Sequence, residues 1–90
     1  MNTEEVISEL KKRAKFFEVY QKTTFECIRT DKNGNTQTVE VSILDAGPDV
    51  NPQIRYHCVA KAEDGKMATG NPDSSIDMVL LHVHWNNLDK

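Results

Sequence analysis

The central part of the chain alternates apolar and polar residues with the period of two that is typical of half-buried β-strands. Two such runs lie within residues 36–62, separated by a loop that contains Gly47-Pro48 and Pro52. Proline lacks a backbone N–H donor and biases the preceding residue away from helix, so the runs predict two strands joined by a loop. The apolar positions are Val39, Val41 and Ile43 in the first run, and Ile54, Tyr56, Cys58 and Ala60 in the second.

An earlier strand is predicted over Thr23–Thr30, followed by the turn sequence Asp-Lys-Asn-Gly-Asn. A two-residue Asn-Gly turn would set Phe25 opposite Ser42 and mix apolar with polar side chains. A type I turn with Gly34 in a G1 bulge instead sets Phe25 opposite Val41. We predict the second register, because it keeps one face of the sheet apolar.

The sequence pattern specifies the third and fourth strands less strongly than the first two. The third strand is predicted over Gln53–Ala62, and Asp64-Gly65 predicts a two-residue turn that places Ala62 opposite Met67. Lys66–Thr69 would then form a short edge strand. The sheet therefore has three or four strands, and the sequence leaves this choice open.

The first helix is predicted near the N-terminus, with Asn2 or Thr3 as its N-cap. Asn2 and Glu5 have the spacing of a capping box, and the bases near the helix end complement its dipole. Where the helix ends is left open, because Phe-Phe-Glu-Val-Tyr could extend it or begin a strand. Its apolar stripe comprises Val6, Ile7, Leu10, Ala14 and Phe17.

The second helix is predicted close to the C-terminus, where Ser74 and Asp77 have capping-box spacing. Its core stripe comprises Ile76, Val79, Leu80 and Val83. A second apolar side comprises Met78, Leu81, Trp85 and Leu88. The apolar arc is therefore wide, and either the core surrounds it or part of it is a surface for a partner.

These elements predict a single α+β domain over residues 1–90, with a helix, an antiparallel meander of three or four strands and a C-terminal helix. Both helices are expected on one face of the sheet. The predicted core is Leu10, Phe17, Phe25, Val39, Val41, Ile43, Ile54, Tyr56, Cys58, Ile76, Leu80 and Val83.

Composition narrows the classes of function. A net charge of −3 gives no general attraction to nucleic acid or to an anionic membrane, and no apolar run is long enough to span a bilayer. The charged N-terminus lacks the apolar core of a secretion signal, so we expect a cytoplasmic protein. Cys27 and Cys58 do not form a C-x-x-C pair and are expected to be free, buried thiols.

The histidines do not predict a metal or catalytic site. His82 and His84 are two residues apart, and a helix would point them in nearly opposite directions. His57 is expected on the solvated face of its strand, near Arg55, Lys61 and Glu40, with no nucleophile beside it. We therefore expect no catalytic set, no metal and no cofactor.

The loop Gly47-Pro48-Asp49-Val50-Asn51-Pro52, followed by Ile54 and by a helix beginning near Ser74, resembles the double-stranded-RNA-binding domain. That family has a Gly-Pro-x-His-x-Pro loop between its first two strands and a similar order of helix, strands and helix. The resemblance covers about residues 36–88. Val50 stands where the family has its loop histidine, and Ser75, Ile76 and Val79 replace its three helix lysines. The resemblance thus implies a relative in fold without the RNA-contacting residues.

Two functions follow as expectations. The first is a non-enzymatic protein-interaction module, with a protein partner or self-association at Met78, Leu81, Trp85 and Leu88. The alternative is nucleic-acid (RNA) binding through the basic part of the first helix, at Lys11, Lys12, Arg13 and Lys15. The net negative charge makes nucleic acid the less favoured partner.

Overall fold

The computed structural model describes residues 1–89 and contains a four-stranded antiparallel sheet with a helix before it and a helix after it. The predicted α+β class is confirmed, and Met67–Thr69 forms the fourth strand. The sheet order follows the chain order, so the strands form a meander. The elements are α1 (Thr3–Ala14), β1 (Gln21–Thr30), β2 (Thr36–Asp45), β3 (Tyr56–Ala62), β4 (Met67–Thr69) and α2 (Ile76–His82), with 3-10 helices at Pro52–Ile54 and Trp85–Asp89.

The β1–β2 hairpin has the predicted register. Phe25 pairs with Val41, and Cys27 pairs with Val39. The turn closes with a hydrogen bond of 3.0 Å from the Gly34 N–H to the Asp31 carbonyl. Gly34 has a φ of 84°, which only glycine adopts without strain at this position of a G1 bulge.

The register predicted for the second hairpin is wrong. Met67 pairs with Lys61 rather than with Ala62, and Ala68 pairs with Ala60. A two-residue type I′ turn needs positive φ at both central residues, and here Gly65 is left-handed, with φ of 91°, but Asp64 is not. The chain therefore uses the same bulged turn as in the first hairpin, which buries Ala68 and turns Met67 outward.

The third strand begins later than predicted. Asn51 caps the 3-10 helix Pro52–Ile54 by accepting a hydrogen bond of 3.0 Å from the Gln53 N–H. Proline in the first turn and asparagine at the cap both favour this helical turn over an extended strand. Ile54 is consequently exposed and does not belong to the core.

The core lies on one face of the sheet, beneath the C-terminal part of the chain. α2 packs on β3, and the C-terminal 3-10 helix packs beside β4. Alanines on β3 and β4 allow this close approach, because they place little side-chain volume between helix and sheet. The buried members are Val39, Val41, Cys58, Ala60, Ala62, Ala68, Val79, Val83 and Leu88, with Cys27, Ile43, Tyr56 and Leu80 packed against them.

Several predicted core residues are exposed instead. They are Leu10, Phe17, Phe25, Ile54 and Ile76, with Phe17 the most exposed at 91%. Phe17 follows the end of α1, which Lys15 closes in the left-handed conformation, with φ of 59°. Phe25 lies on β1, which α2 does not reach because it packs on β3.

α1 meets the sheet near the end of β2. Of the two predicted N-cap residues, Asn2 or Thr3, the cap is Asn2, whose side chain accepts a hydrogen bond of 2.8 Å from the Glu5 N–H. Ile7 is its one buried residue and packs against Gly47, where an added Cβ would lie 3.3 Å from two Ile7 carbons. This end placement agrees with the elongated shape of the molecule, which measures 49 × 21 × 19 Å.

α2 is shorter than predicted and begins one residue later than expected. Its N-cap is Ser75, whose hydroxyl accepts a hydrogen bond of 3.2 Å from the Met78 N–H, whereas Ser74 bonds to Asp73. Val83 is extended, with ψ of 134°, and ends the helix. The next residue donates its N–H to the Thr69 carbonyl at 3.1 Å, so α2 ends where the chain meets β4.

Gly70 allows the end of α2 to approach the chain that leaves β4, and Gly70→Ala is expected to destabilise the fold. A Cβ at this position would lie 2.4 Å from the backbone oxygen of His82, so the end of α2 would have to move away. We expect a loss of roughly 1–3 kcal/mol in the free energy of unfolding, measured by urea denaturation. Asn71→Ala, at the exposed neighbouring position, is the matched control, and equal stability of the two variants would contradict this account.

Asp45 joins the end of β2 to the start of β3. Its carboxylate accepts two hydrogen bonds from Arg55, of 2.9 and 3.2 Å, and one of 2.8 Å from the Gly47 N–H. Burial raises the pKa of Asp45, but the bonds from Arg55 and Gly47 more than offset it, so the pKa lies below its ordinary value. Arg55 also stacks 5.0 Å from the Tyr56 ring centroid and lies 3.4 Å from a Glu4 carboxylate oxygen, which ties α1 to this network.

Asp45→Asn is expected to lower stability at neutral pH by about 1–2 kcal/mol, since it removes a partly buried ion pair. The folded-state pKa is depressed, so the stabilisation is present above the unfolded pKa and is lost as pH falls through the folded one. Urea unfolding should therefore show the variant closer to wild type in acid than at neutral pH. The exposed Asp49→Asn is the control. A deficit that does not shrink in acid would contradict the role of the carboxylate charge.

Candidate protein-interaction surface

An apolar groove of about 370 Å³ lies between the β1–β2 hairpin and the C-terminal 3-10 helix. The sheet supplies one wall, and the segment that follows α2 supplies the other. We refer to this groove as the Trp85 groove. Its lining residues are Cys27, Arg29, Val39, Val41, Trp85 and Leu88.

Strand pairing explains the sheet wall of the groove. Cys27 is opposite Val39, and Phe25 is opposite Val41, so these side chains share the face that α2 also uses. Val39 and Val41 are buried, whereas Phe25 is 50% exposed. The apolar face therefore continues outward past the groove, along β1.

Trp85 and Leu88 form the opposite wall. Leu88 is 2% exposed, and Trp85 is 39% exposed. The indole N–H of Trp85 donates a hydrogen bond of 3.1 Å to the Leu80 carbonyl, which satisfies its polar atom and restrains the ring. The accessible part of Trp85 is consequently apolar.

Polar contacts hold the C-terminal 3-10 helix against the hairpin. Arg29 bonds both carboxylate oxygens of Asp89, at 2.9 and 3.1 Å, and its hydrogen bond lowers the pKa of Asp89. Arg29 also donates to the Gln37 side-chain oxygen at 2.8 Å. The Gln37 amide in turn donates to the Leu88 carbonyl at 3.0 Å. This chain of contacts fixes the position of the second wall.

The predicted partner surface does not form one continuous helical arc. Met78 and Leu81 are three residues apart on α2 and are exposed, Leu81 by 71%. Trp85 lies beyond the end of the helix and borders the groove. Leu88 is a buried wall residue of the groove, and partner binding at these four residues stays a prediction.

Sequence reasoning missed the contribution of β1 to the groove. Phe25 is a predicted core residue but is exposed, and Cys27, predicted to be buried, is half-buried. No sequence pattern marks Arg29 as part of the site. The sequence did not signal this, because its helical periodicity continues through Trp85, whereas α2 has seven residues and is only about 10 Å long. Such a helix cannot cover a four-stranded sheet.

The basic residues of the alternative hypothesis lie at the end of α1. Lys12, Arg13 and Lys15 are exposed, and Lys11 is half-buried. Arg13 pairs with Glu9 one turn earlier, and Lys15 closes the helix. Helix-dipole and ion-pair roles account for this placement. RNA binding by these residues stays a prediction.

His57 differs from the expectation of a solvated side chain. Its Nε2 lies 2.9 Å from the Thr69 hydroxyl and 3.2 Å from the Gly70 carbonyl. The Thr69 hydroxyl also lies 3.0 Å from the Cys58 carbonyl, to which it donates. Because a carbonyl oxygen can only accept, the contact with Gly70 is a hydrogen bond when Nε2 carries the ring proton. The ring thus connects β3 to the chain leaving β4.

The other two histidines lie at the end of α2 and just after it. His82 ends α2 and its Nδ1 lies 3.7 Å from an Asp73 carboxylate oxygen, while His84 follows the helix end. Within residues 1–89, no group of three or more His, Cys, Asp or Glu side chains is arranged to hold a metal ion. In the same span, no helix has the length and apolar character needed to cross a membrane.

The two free cysteines should differ in reactivity. Cys58 is fully buried, which raises the pKa of its thiol, whereas Cys27 borders the groove. The thiolate is the reactive form, and burial of Cys58 both disfavours its thiolate and blocks access to it. A maleimide should therefore modify only Cys27 in the native protein and both cysteines in denaturant. Peptide mass spectrometry identifies which cysteine is modified. Cys27→Ser should abolish the native reaction. Labelling of Cys58 at a similar native rate would contradict the described packing.

Comparisons with known protein families, with curated proteins and with solved structures give no match for this chain. The resemblance of its Gly47–Pro52 loop to the double-stranded-RNA-binding domain therefore rests on those residues alone.

Proposed function

We propose that this chain is a small, non-enzymatic protein-interaction module that binds an apolar segment of a protein partner in the Trp85 groove. The observation that carries the proposal is the open groove of about 370 Å³ between Trp85 and the apolar side chains of β1 and β2. Aromatic residues and arginine are enriched at the centres of protein interfaces, and both occur here.

The chemistry of the groove favours an apolar protein segment over a small charged ligand. Its lining includes Val39, Val41 and Leu88, and the guanidinium of Arg29 is engaged by Asp89. A partner side chain would thus gain free energy from apolar burial, at roughly 25 cal/mol per Å² removed from water. The exposed ring of Phe25 extends the apolar surface beyond the groove, as a segment longer than one residue would require.

A non-enzymatic role is supported by the contacts of the one histidine that lies on the sheet. The Nε2 of His57 bonds to Thr69 and Gly70, so the ring serves as a connector between neighbouring strands. The Nε2 atom is thereby engaged in structural contacts rather than free to exchange a proton with a substrate.

The groove can be tested at a single position. Cys27→Tyr should fill it, whereas Cys27→Ser changes the side chain little in size. The wild-type protein is first used to capture a partner from an extract of the cells that make it. If the partner binds through the groove, Cys27→Ser should still bind it. Cys27→Tyr should weaken its binding by about tenfold or more, measured by titration with the purified partner and Trp85 fluorescence. Equal affinities of the two variants, with both shown to be folded by urea unfolding, would contradict the proposal.

A second pair of variants asks whether the partner extends onto α2. Leu81→Asp adds a charge at an exposed position of the predicted surface, and Ile54→Asp does so at a similarly exposed position outside it. Loss of binding in the first variant alone would assign Met78 and Leu81 to the same interface. Unchanged binding would confine the interface to the groove.

A further inference from the structure

The outer edge of β1 has the properties of a strand that pairs with a second copy of itself. β1 is ten residues long and is at the end of the sheet order, so only β2 bonds to it among the described residues. Most of its side chains are exposed, including Phe25 and Ile28, which is 70% exposed. A long exposed edge of this kind presents a row of free N–H and C=O groups that can template another strand.

The hairpin shows which residues face the open edge. Asp31 donates to the Asn35 carbonyl at 2.8 Å and accepts from Gly34 at 3.0 Å, so it occupies a bonded position of the ladder. Bonded and non-bonded positions alternate along an antiparallel pair. The odd-numbered residues of β1 therefore bond to β2, and the even-numbered residues direct their backbone groups outward. These are Lys22, Thr24, Glu26, Ile28 and Thr30.

We propose that the protein forms a two-fold symmetric dimer in which the β1 strands of two copies pair antiparallel, with Thr24 of each copy on the axis. This register places Lys22 of each copy opposite Glu26 of the other. Continuing it by one outward-facing residue places Tyr20 opposite Ile28, and both side chains are exposed. Opposite charges, threonine pairs and aromatic with β-branched pairs are the cross-strand combinations that stabilise sheets.

Neighbouring registers lack this complementarity. A shift that places Glu26 on the axis sets two carboxylates directly opposite each other. A shift that places Phe25 on the axis pairs Lys22 with Ile28 and leaves Glu26 opposite Thr24. Charged residues usually protect an edge strand from pairing, but the spacing of Lys22 and Glu26 about Thr24 makes the same charges selective for one register.

The proposed register also gives a neighbour to an exposed apolar part of α1. Tyr20 lines a groove of about 290 Å³ together with Val6 and Leu10, which are partly exposed. Ile28 of the second copy, placed opposite Tyr20, lies at this groove. The pairing would join two four-stranded sheets into one and add about six backbone hydrogen bonds between the strands.

This dimer is independent of the Trp85 groove, and charge exchange tests it directly. Lys22→Glu and Glu26→Lys should each weaken dimerisation by about tenfold or more, because each replaces two ion pairs with two like-charge pairs. The double variant Lys22→Glu/Glu26→Lys should restore the wild-type dissociation constant. Sedimentation equilibrium over a concentration series gives these constants, and Trp85→Ala, which removes part of one groove wall and lies outside β1, should leave them unchanged.

Disulfide trapping tests the register. In a Cys27→Ser background, Thr24→Cys places two thiols on the axis, at a Cα separation of about 5.5 Å that a disulfide can span. Glu26→Cys is the control, since the two residues at position 26 would be about 14 Å apart along the strands. Mild oxidation should yield a covalent dimer with Thr24→Cys and not with Glu26→Cys.

Several outcomes would overturn the proposal. One is a wild-type protein that stays monomeric up to its solubility limit. Another is a dimer that the single charge variants weaken and the double variant does not restore. A third is a dimer that Trp85→Ala abolishes, since its interface would then lie at the groove. A monomer whose β1 edge instead binds an extended peptide from another protein would assign the edge to a different occupant.

Discussion

The sheet has one apolar face, and the segment that covers it is too short to cover all of it. α2 has seven residues and is about 10 Å long, whereas four strands spaced at about 4.8 Å form a sheet about 14 Å wide. The ten-residue strands β1 and β2 extend about 33 Å in the other direction. α2 therefore packs over β3, and the apolar residues of β1 remain accessible. The groove and the exposed strand both follow from this mismatch.

Backbone and polar contacts determine where α2 and the C-terminal 3-10 helix lie on the sheet. Gly70 lets the end of α2 approach the chain leaving β4, and the Thr69 carbonyl accepts the N–H that follows the helix. Beyond that point, Arg29 and Gln37 bond the last 3-10 helix. Because these buried or half-buried polar groups satisfy one another, the C-terminal segment is held in one position rather than sliding across the apolar face.

The opposite end of the molecule depends on a different set of contacts. Asp45 and Arg55 close the loop between β2 and β3, and α1 is held there by Ile7 and Glu4. This arrangement leaves the second half of α1 with few buried side chains. It also leaves β1 with a free edge along its length. The two proposed interactions thus use different parts of one exposed strand, its inner face and its outer edge.

Local rules identified the parts of the fold that depend on neighbouring residues in the sequence. Period-two alternation located β1 and β2, and the need for one apolar face selected the pairing of Phe25 with Val41. The Asn2 cap was also recognised from its spacing to Glu5. The second hairpin was misjudged because two turn types share the same Asp-Gly sequence, and only the backbone conformation at Asp64 separates them.

The candidate site could be predicted only in part, because the position of its C-terminal wall depends on contacts between residues that are distant in the sequence. The sequence identified Trp85 and Leu81 as apolar residues outside the main stripe, but it could not show that Leu88 is buried. Helical periodicity continues through Trp85 in the sequence, whereas a contact with β4, distant along the chain, ends the helix at His82. The sequence by itself determined β1, β2 and the register between them, because these depend on local pattern. The tertiary structure alone decided which apolar residues are covered, because that depends on where a short C-terminal segment is anchored on a wider sheet.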